Sequence, residues 1–156
     1  MSDMVRLRAE DQDDLNIVSA LLQDAVVFVG EMGFTPSTQR FALLAARFRW
    51  EEKPHTKRGF LGRRTVADEP FERVRCGLHF ETVRHARLTG IDQSQTARVL
   101  ELLAITAENA DHGVTITLNF ADGASVALDA EVIDAHLSDT SEAWRTPAKP
   151  EHALED

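Results

Sequence analysis

Residues 114–129 read VTITLNFADGASVALD, two alternating runs joined by Asp122-Gly123. Side chains in an extended chain point to opposite faces in turn, so Val114, Ile116, Leu118 and Phe120 share one face and Thr115, Thr117 and Asn119 the other. An Asp-Gly pair between such runs is a strong hairpin signal, because the tight turn it favours needs positive φ. The stretch therefore predicts an antiparallel hairpin with one face on a core and one in water.

The same period recurs in VRCGLHF, where Val74, Cys76, Leu78 and Phe80 point together and Arg73, Arg75 and His79 point away. Extended over the chain, it predicts strands at Val26 to Phe34, Arg40 to Glu51, Glu72 to Phe80, Thr82 to Gly90, Leu100 to Asn109, Val114 to Phe120 and Ser125 to Asp129. TPST supplies a turn between the first two. Between Phe80 and Val83 the alternation slips by one, which predicts a bulge or very tight turn at Glu81-Thr82. SQTARVLELLAI reads as a short helical turn leading into the fifth of these strands.

Around this sheet the period changes. VRLRA, Val5 to Ala9, reads as a leading strand, and EDQDDLNIVSALLQDA as a helix. Acids at the helix start suit its positive end, and Leu15, Val18, Leu21, Leu22 and Ala25 recur at three- and four-residue steps. AEVIDAHLSD, with Val132, Ile133 and Leu137 on one side, is read as a second, C-terminal helix. The fold class that follows is α+β, mainly β: about seven antiparallel strands in a small pleckstrin-homology-like barrel or bent sandwich, with an N-terminal helix and a C-terminal capping helix. Residues 1–139 form one globular domain on this reading, and residues 140–156 a loosely ordered tail apart from Trp144.

Composition narrows the classes. No apolar run approaches the roughly 20 residues that span a membrane, and no signal-peptide pattern opens the chain, so an integral membrane role is not expected. The single cysteine, Cys76, suits a reducing compartment, and a cytoplasmic location is expected. A net charge of −9 and 6% aromatics argue against nucleic-acid binding. The six histidines show no paired ligand spacing, and Cys76 and His79, three apart in a strand, face opposite ways, so no metal site and no cofactor are expected. No nucleophile motif or phosphate-binding loop is present, and Cys76 sits on an apolar face that disfavours a thiolate. His79 and Glu81 are placed to pair if the slip allows it, and Arg73, Arg75, Arg84 and Arg87 read as hydrated or acid-paired charges on a sheet face.

The stretches DLNIVSALLQDAV, RFALLAARFRWE, GLHFETVRHARLTGID and VTITLNFADGASVALDAEVIDAHLSD, in that order, resemble a family of uncharacterised alphaproteobacterial proteins catalogued as a domain of unknown function, DUF2948. The resemblance runs from about Leu7 to Trp144 and is weakest from Glu52 to Glu72. It implies no catalytic residues, cofactor or partner.

The candidate site is the basic loop KPHTKRGFLGRR within residues 52–71, where Lys53, Lys57, Arg58, Arg63 and Arg64 flank the apolar pair Phe60 and Leu61. At about 1 kcal/mol per cation near an anionic surface, it would hold such a surface weakly and with salt sensitivity. A solvated loop is the plainer reading of the same residues. The function expected is a non-catalytic binding or scaffold module that recognises a protein partner or assembles with itself. The alternatives are a small enzyme with its site in a barrel mouth, or weak anionic-lipid or phosphate binding through the loop.

Overall fold

The computed structural model describes residues 4–48, 72–140 and 144–145. In chain order the elements are β1 (Arg6–Ala9), α1 (Gln12–Leu21), β2 (Val26–Phe28), β3 (Met32–Thr35), β4 (Arg40–Phe48), β5 (Glu72–Phe80), β6 (Val83–Thr89), β7 (Val99–Ala110), β8 (Gly113–Phe120), β9 (Ser125–Ala130), β10 (Ala135–Asp139) and β11 (Trp144–Arg145). The strands join in one antiparallel sheet of order β1-β10-β5-β4-β2-β7-β8-β9-β6, with β3 added on β4 and β11 on β5.

The slip at Glu81-Thr82 proves to be a corner. On one side Phe80 pairs with Ala135, and on the other Val83 pairs with Ala130. Across the gap Glu81 N–H donates to Asp134 O (2.9 Å) and Glu131 N–H to Thr82 O (3.1 Å). β5–β6 and β9–β10 thus form one long ribbon, folded where Thr82 takes φ 58°. This fold line divides the sheet into a β1-β10-β5-β4 half and a β7-β8-β9-β6 half, which β2 rejoins by pairing with both β4 and β7.

The inward faces of both halves enclose one apolar cluster that includes Phe41, Leu78, Phe80, Ile105, Ile116, Leu118, Leu128 and Leu137. α1 lays Leu15 and Val18 on it. The Asp11 carboxylate caps the helix by accepting from Asp14 N–H (2.8 Å). Ser19 Oγ accepts from Ile105 N–H (2.9 Å), which ties the helix to β7.

Four expectations are corrected. The strand expected over 26–34 is two strands separated by a 3-10 turn at Val29–Glu31, which raises the count with β1, β10 and β11 to eleven. The turn brings the backbone of Gly30 against Thr96, where a Cβ would lie 2.8 Å from Thr96 Cβ. The C-terminal helix expected in residues 130–139 is the strand β10, with Ala135, Leu137 and Asp139 inward; Val132 is exposed in the preceding turn. The pleckstrin-homology-like barrel plugged by that helix is therefore not formed there. Among the described residues the sheet stays open, its path ending at β1 and β6. Around Ser94 the chain makes turns rather than a helical turn, and β7 follows.

Candidate functional site

On the outward face of the first half, strand register sets Arg8, His136, His79 and Ala42 in one row across β1, β10, β5 and β4. The imidazoles of His79 and His136 stack, with ring centroids 4.7 Å apart and planes 9° from parallel. Each ring meets a carboxylate: His79 Nδ1 lies 2.6 Å from Glu81 Oε2, and His136 Nε2 lies 2.9 Å from Asp134 Oδ1. Each carboxylate is in turn held by an arginine, Glu81 by Arg40 Nε (2.8 Å) and Asp134 by Arg8 Nε (3.2 Å). Arg8 also pairs with Glu10 (3.2 Å), and its guanidinium is held above its usual range first by the hydrogen bond to Asp134. The adjoining row is Arg6, Ser138, Gly77 and Leu44. Between the rows lies an open hollow of about 400 Å³ lined by Arg6, Leu7, Arg8, His79, His136, Leu137 and Ser138.

The inward face of the same strands carries a different cluster. Arg47 is fully buried, and its Nε and Nη2 donate to Asp139 Oδ1 (3.0 Å) and Oδ2 (2.9 Å). Asp139 Oδ2 also accepts from Val5 N–H (2.8 Å), and Arg47 Nη1 donates to Phe48 O (3.1 Å). Such a bidentate fork needs both partners planar and fixed, which the β4–β5–β10 register supplies. Cys76 is the register neighbour of Asp139, and burial pushes its thiol up to about 12. A thiol so protonated is a core side chain rather than a nucleophile or metal ligand.

Of the residues singled out in the sequence, Lys53, Lys57, Arg58, Phe60, Leu61, Arg63 and Arg64 lie outside the described residues. Cys76 and His79 do face opposite ways, and His79 and Glu81 do pair. Arg73 stacks on the Phe48 ring at 4.1 Å, and burial lowers its guanidinium from the ordinary arginine value. Arg84 donates to His112 O (2.7 Å) and Arg87 bonds to Asp129, so the β6 arginines are spent within the fold. His136 is hidden in the sequence because the spacing of Val132, Ile133 and Leu137 imitates a helix; as an outward position between inward Ala135 and Leu137, it is one member of a period-two pattern. Among the described residues no group of three or more His, Cys, Asp or Glu side chains is arranged to hold a metal ion. No helix among them is long and apolar enough to cross a membrane.

A second feature lies where the sheet fails to close. Among the described residues the ladder of β6 is to β9 alone, and that of β3 to β4 alone. Val83 N–H donates to Gln39 O (2.9 Å), which ties the start of β6 to the tip of the β3–β4 hairpin. Beyond the far end of β6, Arg98 Nη1 donates to Gly90 O (2.8 Å), while Val29 and Gly30 N–H donate to Arg98 O (2.9 Å) and Thr96 O (3.0 Å). Both ends of the seam are pinned, but among the described residues no ladder joins the two strands. Met32, Phe34, Ala86, Leu88 and Ile91, from these two strands and the residues after β6, are only partly buried against the core.

The model of a family described as "Protein of unknown function (DUF2948)" matches residues 5–152. No curated protein and no solved structure matches the chain.

Proposed function

We propose that this chain, which belongs to the DUF2948 family, is a recognition module that binds an extended segment of a protein partner along β6. The observation that supports this reading is the pinned but unladdered seam between β3 and β6. An edge strand presents unpaired N–H and C=O groups that another strand can complete, and alternate pockets along it select side chains. The half-buried Met32, Phe34, Ala86 and Leu88 beside the edge provide apolar contacts of that kind. The register shift between Val83 and His85 discourages indiscriminate pairing. Residues 85–89 then remain as the receptive stretch.

Hydrogen–deuterium exchange on the full chain, alone and with a partner captured from its native lysate, tests this directly. Slowed exchange in residues 83–89 and 32–35 on binding is the outcome expected. Protection confined to other elements would refute the assignment of the edge.

A further inference from the structure

We propose that the hollow on the outward face of β1, β10 and β5 binds a small oxyanion, phosphate-like or carboxylate, and that its binding is coupled to proton uptake by His79 and His136. The proposal does not depend on the strand-edge reading. The lining offers two arginines, two imidazoles and the Ser138 hydroxyl, and no acidic side chain. Arg6 is exposed and makes no ion pair or side-chain hydrogen bond among the described residues, so its planar fork is available to two oxygens of one ligand. Across the row from Arg6, Gly77 contributes no side chain to obstruct the space beside Ser138.

The carboxylates that would repel an anion are held at the margin. Arg40 pairs with Glu81, and Arg8 with both Asp134 and Glu10. These five groups, with Arg6, are the charged neighbours that β1, β4, β5 and the turn before β10 bring to the imidazoles. When neutral, each imidazole has one N–H; donated to its carboxylate, it leaves His79 Nε2 and His136 Nδ1 as lone pairs, which an anion avoids. Protonation turns both nitrogens into donors, and an anion then offsets the repulsion between two stacked cations 4.7 Å apart. Anion and proton therefore bind together, each strengthening the other.

The probes are sulfate, whose charge does not change near neutrality, and malonate, titrated at constant ionic strength and followed by the imidazole C–H resonances of the full chain. The His79 and His136 signals should move together and saturate, with His85 and His112 unmoved. Sulfate affinity should rise as the pH is lowered. Saturation by sulfate but not malonate would assign a phosphate-type ligand, and the reverse a carboxylate; either supports the site. Arg6→Ala should weaken binding roughly tenfold with an unchanged thermal midpoint. Ser138→Phe, which fills the hollow, should abolish binding while the circular-dichroism spectrum is retained. Linear shifts without saturation, movement of the His85 and His112 signals equal to that of His79 and His136, or undiminished affinity in a folded Arg6→Ala protein would overturn the proposal.

Discussion

Arg47 and Asp139 are the charged residues that the described structure buries, and they are buried together. Removing one partner strands the other in the core, so Asp139→Leu alone should cost about 3–5 kcal/mol in urea unfolding, whereas adding Arg47→Met should restore much of the loss. A different residue contributes to the pH response. Glu101 holds its proton more tightly than an ordinary carboxyl, chiefly through its hydrogen bond to Asp24. A raised carboxyl stabilises the fold fully below its unfolded value and loses that contribution as pH rises through the folded value. Glu101→Gln should therefore make the protein more stable than wild type at neutral pH and flatten the pH profile above the ordinary carboxylate range. Thermal midpoints between about pH 4 and pH 7 check the sign, and a variant less stable at neutral pH would contradict it. The ion pair also explains what the sequence concealed. β10 exposes one face and buries Ala135, Leu137 and Asp139, but an acid at the third inward position hides the alternation, and Val132, Ile133 and Leu137 then imitate a helical spacing.

Among the elements, those whose inward positions are all apolar were legible: β5 begins and ends where the alternation does, and β8 and β9 flank the Asp122-Gly123 turn. The corner at Glu81-Thr82 was readable as a slip in period, although not as the line across which the ribbon folds. The histidine pair was not readable, because a register contact between residues 79 and 136 exists only once β10 is known to be a strand. Local backbone demands are equally uneven. Gly113 opens β8 at φ +148°, and a Cβ there would lie 2.1 Å from Ala130 O, so Gly113→Ala should destabilise by at least about 1–3 kcal/mol. At Gly77 a Cβ would meet only Leu44 Cδ2, at 3.8 Å, and Gly77→Val should be neutral or stabilising by up to about 1 kcal/mol. Denaturant midpoints of the two variants, compared with wild type, separate a required glycine from a permitted one.

At the largest scale, a single core is wrapped by one sheet that folds at its corner and, among the described residues, stops short of closing. Alternation reports which face of a strand is inward but not which strands are neighbours, so openness could not be read from the chain. The consequence is a gradient of protection, with β8 and β9 flanked by partners on both sides and β6 by one. Residue-resolved amide exchange of the isolated, full-length chain measures this most directly. Slow exchange throughout β8 and β9, with rapidly exchanging alternate amides in residues 85–89, is expected for an open seam. Uniformly slow exchange along β6, matching β9, would show that the seam is already closed and leaves no edge for a partner.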